Sequence, residues 1–175
     1  LWDLKLKLGH ATRTIDDCLR LGADDFTIQT ALLENRFIDG DVTLAQELSE
    51  RLKNELFSGA GKDFIEAKLE ERHKRMGDSR YVVEPNVKEG KGGLRDLHSL
   101  FWIAKFIHDV DRVADLVDLG VFRADEYDTF REAEAFLWAV RGHLHLIAGR
   151  ATEQLTFDMQ VQVAQAMGYQ DIGGR

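Results

Sequence analysis

Residues 84–102 read EPNVKEGKGGLRDLHSLFW, and the rest of the chain is organised around this stretch. It contains the only proline of the chain and three glycines, and a helical pattern, LRDLHSLFWIAKF, follows directly. Residues 78–93, in contrast, lack helical periodicity. A connector of that length inside a compact domain is uncommon and is often functional. The stretch therefore predicts either a long linker or a loop that handles a ligand.

Amphipathic helices are predicted on both sides of this loop. Leu44, Leu48, Leu52 and Leu56, for example, recur every four residues, as expected of a helix that buries one face. A single proline in 175 residues also favours long helices, because proline interrupts a helix interior. The predicted helices are residues 15–21, 26–38, 42–57, 63–76, 94–108, 109–120, 124–148 and 157–167.

The first eight residues, LWDLKLKL, differ from this pattern. Leucines alternate with lysines, which is the two-residue period of a half-buried strand. A single strand is not stable alone, so we expect it to join a sheet that lies mostly outside this sequence. The chain starts with Leu1 rather than methionine, and we expect it to be part of a longer polypeptide.

Composition limits the classes of function. A hydrophobic fraction of 44% is enough for a core, and the length suits one domain or a domain with a piece of another. The net charge of −8 argues against a general nucleic-acid binder or a protein that binds anionic membranes. Cys18, the single cysteine, has no disulfide partner in the chain, fits a reducing cytoplasm, and is predicted to lie on a helix face.

The predicted strand and the turn after it contain the first candidate site residues. Asp3 lies on the strand, and carboxylates fixed on strands can hold Mg²⁺ against phosphates. An acid that faces solvent at the strand end is the alternative. His10, Arg13 and Thr14 follow the strand and open a helix, where a basic side chain and free backbone N–H groups suit an anion. The alternative is an ordinary turn and helix cap.

The central loop supplies the second set of candidates. Lys88 and Lys91 flank glycines, and Gly92-Gly93 leads into a helix start, an arrangement that can cradle phosphates through backbone N–H groups. The spacing is not that of a Walker A loop. Arg95 and Asp96, in the first helical turn, could instead form a structural ion pair that ties the loop down. Both interpretations remain open at this point.

Three motifs together resemble one enzyme family. They are LWDLKLKLGHATRT at residues 1–14, TALLENRFIDGD at residues 30–41 and YVVEPNVKEGKGGLRDLHSLFWIAKF at residues 81–106. In this order they resemble the bacterial PII uridylyltransferase/uridylyl-removing enzymes over nearly the whole chain. The resemblance implies a polymerase-β-type nucleotidyltransferase domain, then a helical region, an HD phosphohydrolase domain and two ACT domains. It also implies UTP and Mg²⁺ as reactants, a tyrosine of the PII signalling protein as acceptor, and glutamine as effector of the full-length enzyme.

The resemblance assigns regions and roles along the chain. Residues 1–40 would be the end of the nucleotidyltransferase domain and residues 41–175 the helical domain. The expected fold is therefore mainly α, a multi-helix bundle with one or two strands left from the polymerase-β-type domain. The other metal carboxylates and the Gly-Ser nucleotide loop would lie upstream, and the HD and ACT domains are expected outside this sequence, so we expect the fragment itself to be inactive.

Individual residues take their roles from the family motifs. Asp3 would be the third carboxylate of the metal site, with Asp25 as a second candidate for that role. His10, Arg13 and Thr14 match the family's GHSVRT motif, although Ala and Thr replace its Ser-Val pair, so a serine contact would be absent. In the loop, the lysine–glycine composition rather than a family motif supplies the nucleotide-binding candidates, which are Lys88, Lys91, Gly92, Gly93 and Arg95.

The resulting expectation is a cytoplasmic enzyme that transfers UMP from UTP to PII, without a nucleic-acid or membrane partner. Two alternatives remain. One is the related adenylyltransferase that acts on glutamine synthetase, although LKLKLGH rather than an LRP-type motif argues against it. The other is a non-catalytic helical module that binds a nucleotide or a protein partner for regulation.

Overall fold

A computed structural model of the chain describes residues 9–59, 61–76 and 83–170. These residues are mainly helical, as predicted. The described helices are α1 (Ile15–Asp24), α2 (Phe26–Leu33), α3 (Val42–Arg51) with a π-helical continuation (Leu52–Phe57), α4 (Gly61–Met76), α5 (Leu94–His108), α6 (Asp115–Asp118), α7 (Ala124–Ala148) and α8 (Phe157–Ala166). Extended pairing in the described part is limited to an antiparallel bridge between Asn86 and Gln154. The strand predicted for residues 1–8 lies outside the described residues.

The chain divides into two compact units, Leu1–Lys62 and Asp63–Arg175. The predicted boundary after residue 40 concerned the end of a nucleotidyltransferase domain, and it stays a prediction. Across the described residues, no helix is both long and apolar enough to cross a membrane.

The first unit has a small core of its own. Leu32, Leu52 and Leu56 are buried there, and Cys18 on α1 packs against them, which confirms the prediction for the cysteine. Gly22 lets α1 approach closely, since a Cβ at this position would lie 2.7 Å from a methyl carbon of Leu56. The predicted leucine stripe is only partly buried. Its first member, Leu44, is 55% exposed because it lies in the opening turn of α3, away from this core.

In the second unit, α4 packs antiparallel against α5. The rings of Phe64 and Phe106 stack with centroids 4.4 Å apart. One helical turn further along α4, the buried Lys68 lies over the ring of Trp102, 5.3 Å from its centroid. Further along again, Arg72 forms an ion pair with Asp96 at the start of α5. These three contacts follow one face of each helix and fix their register.

Two further clusters complete the core of the second unit. Ala104, Val110 and Leu116 join α5 to α6 and the segment between them. Val87, from the central loop, is buried with residues of α7 and α8, namely Val140, Leu144 and Val163. A loop residue is thus part of the main hydrophobic core.

Several helix ends differ from the predicted ones. Residues 34–38 were predicted to continue α2, but the helix ends at Leu33, where the side-chain amide of Asn35 donates to the carbonyl oxygen of Leu32. Residues 109–120 contain only the single turn α6, because Asp109 adopts a left-handed backbone (φ 53°) that ends α5. The predicted α5 and α7 agree with the structure at both ends.

Candidate functional site

The central loop is docked along the segment that connects α7 to α8. The Val87 N–H donates to the Glu153 carbonyl oxygen at 2.8 Å, and the Leu155 N–H donates to the Pro85 carbonyl oxygen at 2.9 Å. The Glu84 carboxylate accepts a hydrogen bond from the Phe157 N–H at 2.9 Å, so it caps the first turn of α8. With Val87 in the core, these bonds make the loop a fixed part of the second unit.

The loop is also closed internally by a turn around Asn86. The Asn86 side-chain oxygen accepts hydrogen bonds from the N–H groups of Lys88 and Glu89, at 3.1 and 2.7 Å. The backbone carbonyl oxygen of Asn86 accepts a hydrogen bond from the Gly90 N–H. A Cβ at position 90 would lie 2.5 Å from this oxygen. Gly92 has a left-handed backbone with φ +74°. Glycines are therefore required here by the turn itself.

The backbone N–H groups at the start of α5 already have acceptors within the protein. The Gly92 N–H donates to the Asp96 carboxylate at 3.0 Å, and the Gly93 N–H donates to the Gly90 carbonyl oxygen at 2.9 Å. The N–H of Arg95 donates to the Lys88 carbonyl oxygen at 2.8 Å. In this geometry the donors expected to cradle a phosphate stabilise the loop instead. Nucleotide binding by Gly92, Gly93 and Arg95 stays a prediction.

Ion pairs hold the outer side of the loop. Arg95 pairs with Glu89 at 3.1 Å, whereas Asp96 pairs with Arg72 of α4 at 3.3 Å, so the two candidates take different partners. The guanidinium of Arg95 also lies over the Trp102 ring, 5.5 Å from its centroid. This favours a structural role for both residues in tying the loop down.

The two candidate lysines differ in their surroundings. The Lys88 ammonium lies 3.6 Å from the Glu89 carboxylate and is half-buried. Lys91 is exposed at the tip of the loop. Of the two lysines, Lys91 is therefore the more accessible to an anionic ligand, because Lys88 is paired with Glu89.

A bidentate ion pair supports the segment on which the loop is docked. Arg141 of α7 donates to both carboxylate oxygens of Glu153, at 2.9 and 2.8 Å. Hydrogen bonds from Arg141 hold the pKa of Glu153 below its ordinary value, although burial opposes this. A charged Glu153 therefore presents its backbone carbonyl to Val87 in a fixed position.

The candidates in the first unit lie at helix starts. Thr14 caps α1, where its hydroxyl oxygen accepts from the Asp17 N–H at 3.1 Å, and His10 and Arg13 are exposed in the irregular stretch before it. Asp25 caps α2, and its carboxylate accepts from the N–H groups of Thr27 and Ile28. The capping alternative thus accounts for Thr14. Asp25 is also a helix cap, and its role in a metal site stays a prediction. Asp3 lies outside the described residues.

The expected magnesium site rests on Asp3 and on carboxylates upstream of this sequence, so it lies outside the described residues and stays a prediction. Within residues 9–59, 61–76 and 83–170, no group of three or more histidine, cysteine, aspartate or glutamate side chains could hold a metal ion. The described residues therefore do not fit a resident metal by themselves.

Sequence reasoning missed the partners that hold the loop. The sequence predicts a helix over residues 63–76 but does not single out Arg72 or Arg75 on it, nor Glu153 further along the chain. One signal was present for the arginines: they continue the spacing of Phe64 and Lys68, and hence the face of α4 that packs on α5. No comparable local signal existed for Glu153, since it meets the loop only through the tertiary fold.

Comparison with known proteins assigns the family. Residues 63–175 match the family model described as GlnD PII-uridylyltransferase, and the match begins where the second compact unit begins. Similar relatives are bifunctional uridylyltransferase/uridylyl-removing enzymes. Those from Ruegeria pomeroyi and Cereibacter sphaeroides are 64% and 61% identical over all of this chain, and that from Rhodospirillum rubrum is 54% identical over 98% of it.

This chain spans about a fifth of the length of these curated relatives, 20% for Ruegeria pomeroyi and 19% for the other two. No solved structure matches it. The matched region nevertheless covers both compact units. The chain belongs to the GlnD PII-uridylyltransferase family.

Proposed function

We propose that the complete protein containing this chain transfers UMP from UTP to a tyrosine of the PII signalling protein, and also removes it. The observation that carries the proposal is the 64% identity over the whole chain with a bifunctional uridylyltransferase/uridylyl-removing enzyme. We further propose a cytoplasmic location, glutamine as effector, and Mg²⁺ as cofactor, with Asp3 as the contribution of this chain to the metal site.

The helical unit would contribute a rigid wall of the nucleotide cleft. The docking of the loop through Val87 and the Arg141–Glu153 pair supports this role, because a fixed loop can position side chains toward a ligand without a further ordering cost. Among the loop candidates, Lys91 is the side chain that we propose contacts UTP, with Lys88 in support. Gly92, Gly93 and Arg95 would act by holding the shape of the loop. In the first unit, His10, Arg13 and Thr14 remain nucleotide-binding candidates in their own right.

The overall activity is tested with the full-length protein, Mg²⁺, labelled UTP and PII. Label should be transferred to PII, and replacement of the acceptor tyrosine by phenylalanine should abolish the transfer. ATP in place of UTP, with glutamine synthetase as acceptor, tests the adenylyltransferase alternative. Transfer from ATP but not from UTP would overturn the proposal, and no transfer from either nucleotide would favour a non-catalytic module.

The role of Lys91 is tested by Lys91→Ala in the same assay. Loss of one charge-assisted contact to a phosphate should raise the KM for UTP on the order of threefold to tenfold and leave kcat nearly unchanged. Lys74→Ala is the matched control, because Lys74 is an exposed lysine of α4 that pairs with Glu70. An unchanged KM in Lys91→Ala would remove Lys91 from the nucleotide site.

A further inference from the structure

We propose that Arg75, with the loop that it supports, forms a binding site for a phosphate group. Arg75 is near the end of α4, and its side chain is 17% exposed. Its Nη1 donates to the Glu89 carboxylate at 3.2 Å. Its Nε and Nη2 atoms, however, are buried and have no hydrogen-bond partner among the described residues. Nη2 is 3.9 Å from the Asp96 carboxylate, beyond hydrogen-bond distance.

Two buried donors without a hydrogen-bond partner need an explanation. Buried polar atoms in proteins are nearly always hydrogen-bonded, because an unsatisfied donor loses its interaction with water. A guanidinium is costly to bury without full pairing, since it remains charged at any ordinary pH. The open Nε and Nη2 donors lie next to each other on the planar guanidinium, which is the arrangement that binds two oxygens of one phosphate.

The charge around Arg75 favours the same ligand. In the described part of the chain, ion pairs link Arg72, Arg75, Lys88 and Arg95 to only two carboxylates, those of Glu89 and Asp96. This arrangement leaves an excess of two positive charges in a chain whose net charge is −8. Burial raises the pKa of Glu89, but Arg95, Arg75 and Lys88 together hold it below its ordinary value, so Glu89 stays charged.

A phosphate dianion would match both features. It carries the two negative charges that the cluster lacks, and its oxygens can accept from Nε and Nη2 together. A single carboxylate would satisfy the donors but would leave one positive charge unbalanced. The proposal deepens the proposed function, because UTP and pyrophosphate are phosphate sources of that reaction, whereas free orthophosphate is an independent source.

The experiment is calorimetric titration of the full-length protein with inorganic phosphate at low salt, without divalent cations and with EDTA. Arg75→Gln should weaken phosphate binding on the order of tenfold or more, since it removes the charge and the paired donors. Arg112→Gln is the control: Arg112 is an exposed arginine that pairs with Asp115, and its replacement should leave binding unchanged. Equal binding in the wild type and Arg75→Gln, or no binding in either, would overturn the proposal.

Glu89→Gln provides a test of opposite sign. It removes a carboxylate that competes for Arg75 and raises the excess positive charge, so phosphate should bind more tightly, by about threefold to tenfold. Glu89→Gln still tests the proposal if Arg75→Gln does not fold. Unchanged or weaker phosphate binding by Glu89→Gln would contradict the proposal.

Competition then identifies the source of the phosphate. Displacement of phosphate by pyrophosphate or UTP would assign the site to the nucleotide reaction. Phosphate binding that neither displaces would support a separate orthophosphate site. Because titration does not depend on turnover, the site can be confirmed even if the uridylyltransferase assay is negative, and the two proposals fail separately.

Discussion

Gly93 has less space for a side chain than the neighbouring Gly92. A Cβ at position 93 would lie 2.9 Å from each of three carbonyl oxygens, those of Val87, Lys88 and Gly90. All three oxygens accept backbone hydrogen bonds from the glycine turn or the first turn of α5, so they cannot move without breaking a bond. A Cβ at Gly92 would meet no atom within 4 Å, although its backbone is left-handed.

This difference predicts an order of stability for three alanine variants. Gly93→Ala should lower the free energy of unfolding by about 2–3 kcal/mol, because the crowded carbonyls must shift. Gly92→Ala should lower it by about 1 kcal/mol through its left-handed backbone alone. Gly142→Ala, in open space on α7, should raise it by roughly 0.5–1 kcal/mol. Urea unfolding of the 175-residue chain, followed by circular dichroism, measures all three.

An equal effect of Gly93→Ala and Gly92→Ala would contradict the close approach at Gly93. At the residue scale, the sequence singled out residues 92 and 93 but did not predict which acceptors their N–H groups bond to. Their N–H groups were expected to face a ligand, whereas they bond to Asp96 and Gly90. A glycine-rich loop before a helix has the same composition in both cases, so only the tertiary path of the chain distinguishes them.

At the scale of the elements, periodicity predicted the long helices well. The bounds of α5 and α7 follow directly from apolar spacing and from the glycine or left-handed residue that ends each one. Prediction failed where a side chain ended a helix early, as Asn35 does after α2. The docking of the loop on residues 153–155 was also missed, because neither segment has a strand pattern and their pairing needs α7 to be in place.

The Arg141–Glu153 pair couples this docking to pH. The pKa of Glu153 is lower in the folded state than its ordinary value of 4.5. The charged Glu153 side chain therefore makes its full contribution to stability above pH 4.5, and this contribution is lost as the pH falls through the lowered pKa. At neutral pH, Glu153→Gln should lower the free energy of unfolding by about 2 kcal/mol, since it removes a half-buried, charge-assisted pair. The difference from the wild type should disappear in strong acid.

Urea unfolding of both proteins, from pH 7 to about 2, measures this difference. Glu70→Gln is the control. Glu70 and its partner Lys74 are both exposed. Their ion pair should therefore contribute little to the free energy of unfolding at any pH. A constant difference between Glu153→Gln and the wild type across the whole range would show that the loss is one of packing rather than of charge.

For the whole molecule, net charge alone would have been misleading. A value of −8 argues against a general polyanion binder, yet the cluster around Arg75 has an excess of positive charge. Composition averages over the surface, whereas binding depends on which charges the fold brings together. Family membership was predictable from three motifs in order. The place of Arg75 among the ion pairs was not, because α4 and the loop are adjacent only after α4 packs on α5.

The second compact unit has the features of an independently folding domain. Its clusters around Leu144 and Leu116 are formed by its own residues, and the family match covers it from Asp63 onward. We therefore predict that residues 61–175, which start with α4, fold without the preceding residues. The fragment should be mainly helical by circular dichroism and unfold in one cooperative transition, since its core is complete. Val87→Ala in this fragment should lower the midpoint of the unfolding transition, because the Val87 side chain is buried in the core and only 5% exposed. A gradual, non-cooperative transition would mean that the unit needs the first 60 residues to fold. A midpoint that does not respond to Val87→Ala would mean that Val87 is not part of the core of the fragment.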